Sequence, residues 1–155
     1  MEPGFTDRRA VFHGATILAL RDGQLSNGEK RLLVKLAHAL RLDEDEPKRV
    51  YDAVVNSESL ESGQEIGGQE MRMVYEQLLE AVLMHTARSD DELTILAYLR
   101  RAFDIGDAEH RAITRSLDRQ LEEIIHRTVL QDFRMRLDDT MERIGGIFDI
   151  IRIQI

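Results

Sequence analysis

Apolar residues recur every three or four positions along most of this chain, and that spacing predicts α-helices. The clearest case lies in residues 22–46, where a polar segment ending at Ser26 precedes a helix with leucines on one stripe. Ser26 and Glu29 have the Ser-x-x-Glu spacing of a capping box, in which two side chains accept backbone amides at a helix start. Alternation with period two is not sustained for long, so we predict an all-α helical bundle of about six to eight helices.

A second version of this pattern follows 63 residues later, because residues 85–109 align with residues 22–46 without a gap. The matching pairs are Ser26 and Ser89, Glu29 and Glu92, Leu33 and Leu96, Leu36 and Leu99, Ala39 and Ala102, and Glu46 and Glu109. Similarity at a fixed period indicates an internal repeat. We therefore interpret the chain as a duplication.

Capping residues, acidic turns and glycines mark the predicted helix boundaries. We expect helices to begin near residues 6, 26, 43, 69, 89 and 107, with Thr6 as the N-cap of the first. The first helix is expected to end near Arg21, and the fourth near Arg88. Residues 107–144 have an unbroken helical period, so they form either one long helix or two helices separated near Arg127.

These boundaries give a single domain of two repeats. The first repeat covers about residues 8–56, a polar linker residues 57–69, and the second repeat about residues 70–125; a C-terminal helix and an apolar tail fill residues 126–155. A chain of 155 residues buries enough surface to fold without disulfides. The tail, residues 147–155, is too apolar for a solvated end, so we expect it to pack on this domain or on a partner.

The composition of the chain excludes several classes of function. The chain has no cysteine, which excludes disulfides and thiolate zinc sites and favours a cytoplasmic protein. A formal charge of −8 argues against nucleic-acid binding, and no apolar run has the ~18 residues of a membrane span, so we expect no direct membrane insertion. No phosphate-binding loop, dinucleotide fingerprint or catalytic triad is present, and we predict a protein that is not an enzyme.

A family resemblance follows from the DG-x-x-S-x-x-E corner and the leucine-rich helix after it. The residues that carry it are Asp22, Gly23, Leu25, Ser26, Glu29, Leu33 and Leu36, followed by Leu40-Arg41-Leu42 and an acidic helix start. This pattern resembles the tellurite-resistance TerB-like family, whose domain also occurs at the N-terminus of a membrane-anchored J-domain co-chaperone of bacteria. The resemblance covers about residues 10–125.

The resemblance implies paired helical hairpins related by a pseudo-two-fold axis, which makes the two repeats TerB-like repeats. It also implies a bacterial cytoplasmic interaction or scaffold module, stress-associated and without an established reaction. We therefore expect binding of a protein partner or self-association, through the apolar tail or through the charged face of the last helix.

The alternative function is divalent-metal binding, which has been proposed for acidic residues of the family. A pseudo-two-fold axis would bring together Asp22, Glu29, His85 and Glu92, in which His85 stands where the first copy has aspartate. Three carboxylates and one imidazole suit zinc, manganese or iron better than calcium. Such a site would serve a metal sensor or a weak metal-dependent hydrolase. The other interpretation is that both glutamates only complete capping boxes.

Three further patterns predict surface or core positions. Arginines are frequent in the second half, and interleaved carboxylates indicate a solvated helix face, with an acidic protein partner as the alternative. We expect His110 and His126 to be solvated. The methionines Met71, Met73 and Met84 are spaced as core residues would be.

Overall fold

The computed structural model describes residues 7–21, 23–61, 63–84, 90–121 and 127–143, and gives side chains for these residues except 118–132 and 143. Seven α-helices form within these ranges, which confirms the predicted all-α bundle. They are α1 (Arg8–Ala19), α2 (Asn27–Ala39), α3 (Glu46–Val55), α4 (Gly68–Met84), α5 (Asp90–Ala102), α6 (Asp107–Leu121) and α7 (Arg127–Arg143).

The start of α1 differs from the prediction by one residue. Its N-cap is Asp7, whose Oδ1 accepts the backbone amides of Arg9 at 2.7 Å and Ala10 at 3.1 Å. Thr6 lies outside the described residues. Two adjacent residues were both suitable caps, and the carboxylate is the one that satisfies first-turn amides which have no helical partner.

The polar segment between the two repeats is fastened to α1. The amide of Arg8 donates to the carbonyl of Gln64 at 2.9 Å, and the Arg8 guanidinium pairs with both carboxylate oxygens of Glu70 in α4. Ile66 is buried in the core. The predicted linker therefore contributes a core residue and connects the starts of α1 and α4.

The local conformation repeats at the 63-residue offset. Helices α2 and α5 have 13 residues each and occupy matching positions. After each helix a residue adopts a left-handed conformation, with φ of 58° at Arg41 and 53° at Asp104. The next amide in each copy donates to the carbonyl five residues earlier, at 3.1 Å in the first and 2.9 Å in the second. This is a Schellman motif, and it ends both helices in the same way.

The packing of the helices is also equivalent in the two copies. Helix α1 packs against α5, and α4 packs against α2, so interchange of the two copies converts one contact into the other. One contiguous apolar core takes residues from both copies. Tyr98 of α5 lies in it fully buried, and its hydroxyl donates to the carbonyl of Val11 in α1 at 3.0 Å.

Helix α7 breaks this symmetry, because it packs against α5. Its buried residues Phe133, Leu137 and Thr140 have the spacing of one helix face. The predicted apolar tail and residues 122–126 lie outside the described residues. Within the described ranges, no helix combines the length and the apolar character that a bilayer span requires.

Several apolar residues are exposed, and two of them are methionines that the sequence pattern assigned to the core. Met71 is buried as predicted, but Met73 and Met84 are exposed, so that prediction is wrong for two of three methionines. Met73 lies two residues, about 200° of helical turn, from Met71, which places it on the opposite face of α4. Tyr51 and Val55 of α3 are exposed as well.

Candidate functional site

The predicted metal site lies at the starts of α2 and α5. Asp22 and His85 are outside the described residues, so only Glu29 and Glu92 are placed, and both are buried. Glu29 completes a capping box: the Ser26 amide donates to its Oε1 at 2.9 Å, and the Glu29 amide donates to Ser26 Oγ at 3.1 Å. The capping role predicted for Ser26 and Glu29 is confirmed.

The structure brings these two helix starts together. Glu92 of α5 lies directly against Gly28 of α2, where a Cβ atom would stand 3.0 Å from the Glu92 carboxylate carbon. A gap of about 10 Å³ beside them is lined by Arg21, Glu29 and Asp91 among others, which is the room of roughly one water molecule. In the ranges described, no group of three or more metal-ligand side chains is arranged around one point. The metal site depends on Asp22 and His85 and stays a prediction.

A larger opening, which we call the apolar groove, lies between α1, α2 and the start of α3. It measures about 530 Å³. Phe12, Leu33 and Ala37 are buried residues of its lining, whereas Val34 and Tyr51 are exposed at it. The carboxylates at its edge are exposed too, and they belong to Asp43 and Glu44. The exposed Lys30 lines the groove as well, so the groove is apolar, with two carboxylates and one ammonium group at its edge.

A second opening, which we call the arginine cavity, lies between α5, α6 and α7 and measures about 470 Å³. Four arginines and two aspartates are among its lining residues. These are Arg100, Arg111, Arg115 and Arg134, with Asp107 and Asp138. The sequence pattern had assigned these arginines to a solvated helix face. Arg111 and Arg115 are exposed as predicted, whereas Arg100 in the same lining is buried.

His110 lies in the lining of the arginine cavity and is buried, so the prediction of a solvated histidine is wrong for this residue. His126 is outside the described residues. Tyr75 of α4 lies within hydrogen-bond distance of His110, with 3.2 Å between the Tyr75 oxygen and Nδ1. Burial lowers the pKa of His110 to about 4, and the positive charge of Arg100 acts in the same direction. The ring is therefore neutral near neutral pH.

The apolar groove and the arginine cavity occupy equivalent places in the two copies. Four residues of the groove lie 63 positions before residues of the cavity. The pairs are Ala37 with Arg100, Glu44 with Asp107, Pro47 with His110, and Tyr51 with Thr114. One site is thus apolar and the other is polar, although the backbone that frames them is repeated.

Comparison with known proteins does not add a family to these features. The chain matches no family model, no curated protein and no solved structure. The resemblance to TerB-like proteins stays a prediction, and the function has to be argued from the groove and the cavity.

The main difference between the two sites is the helix that covers one of them. Helix α7 packs over α5, where Leu93 and Ala97 are fully buried. The equivalent residues of α2 are Lys30 and Val34; both are exposed, and Val34 exposes 58% of its surface. Among the described residues, no helix lies over α2 as α7 lies over α5. The sequence signal for this groove was the valine on an otherwise charged face of α2.

Proposed function

We propose that this chain is a non-enzymatic interaction module that binds an amphipathic helix of a partner protein in the apolar groove. The observation that carries the proposal is the position of α7 on α5, since the same surface of α2 is open and presents Val34. The bacterial cytoplasm and a role in stress-associated assembly are part of the proposal. They rest on the absence of cysteine and on the resemblance to TerB-like proteins.

The spacing of the buried residues of α7 indicates which side chains a partner helix would need. Its buried residues Phe133, Leu137 and Thr140 follow the i, i+4, i+7 spacing with which amphipathic helices enter grooves. A partner helix would carry apolar side chains at this spacing. The exposed carboxylates of Asp43 and Glu44 favour a lysine or arginine beside these side chains, because opposite charges at the edge of an interface fix its orientation.

Selection of helical peptides tests this proposal. A displayed library of peptides of the length of α7 would be selected for binding to the full chain, and the affinities of the selected peptides would be measured by calorimetry. We expect the selected peptides to have apolar residues at i, i+4 and i+7 and a basic residue next to them. Val34→Glu should weaken their binding at least about ten-fold, since it replaces ~1.5–3 kcal/mol of apolar burial by a charge that must lose water.

The chain offers a matched control. Val55 of α3 exposes 58% of its surface, the same fraction as Val34, but it does not line the groove. Val55→Glu should leave peptide affinity unchanged. Equal loss in both variants, or the absence of any selected peptide, would overturn the proposal.

Two other occupants would be recognised by different results. A concentration-dependent dimer that Val34→Glu dissociates would assign the groove to a second copy of the chain. Tighter peptide binding after deletion of residues 147–155 would assign it to the apolar tail. Either result would replace the partner helix proposed here.

A further inference from the structure

The described residues that line the arginine cavity carry a net positive charge. Its described lining holds two more arginines than aspartates, in a chain whose formal charge is −8. The volume of about 470 Å³ falls in the range of ~300–1,000 Å³ that is usual for small-molecule sites. An excess of positive charge in a cavity of this size indicates an anionic ligand.

Arg100 is not the source of this excess, because it is paired with both aspartates. Its Nη2 donates to Asp107 Oδ1 at 2.5 Å and its Nη1 to Asp138 Oδ1 at 3.4 Å. Its Nε donates to the carbonyl of Ile105 at 3.2 Å. The buried Arg100 thereby connects α5 to α6 and α7 and gives the cavity a fixed wall.

Two exposed arginines of α6, Arg111 and Arg115, contribute to this excess charge. They are four residues apart, so they lie on one face of the helix, where like charges destabilise each other. Within the described ranges neither makes an ion pair. Arg134 lines the cavity from α7. An anion between these helices would relieve the repulsion, and guanidinium groups donate paired N–H bonds to phosphate or carboxylate oxygens.

His110 contributes one further donor. Tyr75 is fully buried, so its hydroxyl proton needs an acceptor, and Nδ1 of His110 lies at 3.2 Å. A neutral imidazole that accepts at Nδ1 carries its proton on Nε2. Tyr75 therefore holds His110 in the tautomer whose Nε2 carries the proton, and His110 is one of the residues that line the cavity.

We propose that the arginine cavity binds the oxyanion group of a small molecule, a phosphate or a carboxylate, between Arg111 and Arg115 of α6 and Arg134 of α7, with His110 as an additional donor. This site is separate from the apolar groove, and it does not depend on the partner helix.

Calorimetric titration of the full chain with inorganic phosphate, pyrophosphate and citrate tests the site, in a buffer free of other polyvalent anions and at constant ionic strength. We expect saturable binding of at least one of the three. Preference for the phosphates or for citrate distinguishes the two oxyanion sources. The Arg111→Gln, Arg115→Gln double variant should bind at least about ten-fold more weakly, since two charge-assisted contacts are lost. The imidazole NMR signals of His110 should shift on binding.

Arg31→Gln with Arg49→Gln is the charge-matched control, because both arginines are exposed and neither lines the cavity. This control should retain the affinity of the unmodified chain. Equal weakening in both double variants would show general attraction of anions to the surface and overturn the site. Failure of all three probes to bind, or binding that leaves the His110 signals unmoved, would overturn it as well.

Discussion

His110 illustrates how the surroundings of one residue change its chemistry. Burial lowers its pKa first, the charges of Arg100 and Arg134 lower it further, and Asp107 and Asp138 act against them. On the remaining side the ring meets Tyr75, with 5.9 Å between the ring centroids. Burial raises the pKa of Tyr75, so its hydroxyl keeps its proton. The pair is therefore neutral and hydrogen-bonded over the whole physiological range.

Acidification should lower the free energy of unfolding through His110. Its pKa is about 4 in the folded chain and about 6.5 when unfolded, so the unfolded state binds more protons between these values. The stabilisation is complete above the unfolded pKa and is lost as the pH falls from about 6.5 towards about 4. Urea denaturation at several pH values across this window measures the loss.

A histidine variant tests whether His110 is the source of this pH dependence. His110→Gln should flatten the dependence of the free energy of unfolding on pH. Burial also lowers the pKa of His13, which adds a contribution of the same sign. An unchanged slope in His110→Gln would contradict the assignment.

At the scale of helices, the capping residues fix where each element begins. Asp7 caps α1 with two amide hydrogen bonds and also accepts the amide of Gly63, which ties the segment between the repeats to this helix start. Asp45 occupies the same N-cap position in α3 but makes no side-chain capping bond. The two aspartates therefore differ in what they stabilise.

Asp7→Ala should lower the free energy of unfolding by about 1–2 kcal/mol, since first-turn amides lose their acceptor. Asp45→Ala should change it by less than about 0.5 kcal/mol, because it removes only an exposed ion pair with Arg49. Chemical denaturation followed by circular dichroism measures both. Equal effects of the two substitutions would contradict the role of Asp7.

Signals within a few residues of each other predicted most of the helices, although they left open whether residues 107–144 form one helix or two. Ser26 and Glu29 identify the start of α2 because a capping box is complete within four residues. The 63-residue repeat in the sequence explains why α2 and α5 end in the same way, because equivalent residues form and follow both helices. Helical period shows that a residue lies on an apolar face, but not what covers that face. The exposure of Met73, the burial of His110 and the joining of distant arginines into one cavity depend on how α4, α6 and α7 pack.

At the scale of the whole molecule, the bundle is a repeated framework with one additional helix. Equivalent surfaces of α2 and α5 have opposite environments, since Val34 is 58% exposed and Ala97 is 0% exposed. Substitution by the same residue at the two positions, one at a time, can therefore test whether α7 covers this surface of α5.

Val34→Glu should change the free energy of unfolding by no more than about 0.5 kcal/mol, as is usual at exposed positions. Ala97→Glu should lower it by ~3 kcal/mol or more, or abolish folding, because its carboxylate would be enclosed without a partner. Denaturation of the two variants side by side gives the comparison. Comparable stability of the two would mean that α7 does not enclose this face of α5.

Interchange of the two copies converts the contact of α1 with α5 into that of α4 with α2, and this has an evolutionary consequence. A half-length ancestor would have made these contacts between two identical subunits, and it would have carried two identical grooves. Gene fusion followed by the gain of α7 would cover one groove in part, and its residues would no longer bind a partner helix, so that arginine and histidine became acceptable there. The other groove would keep the ancestral task, and selection on the two halves would then diverge.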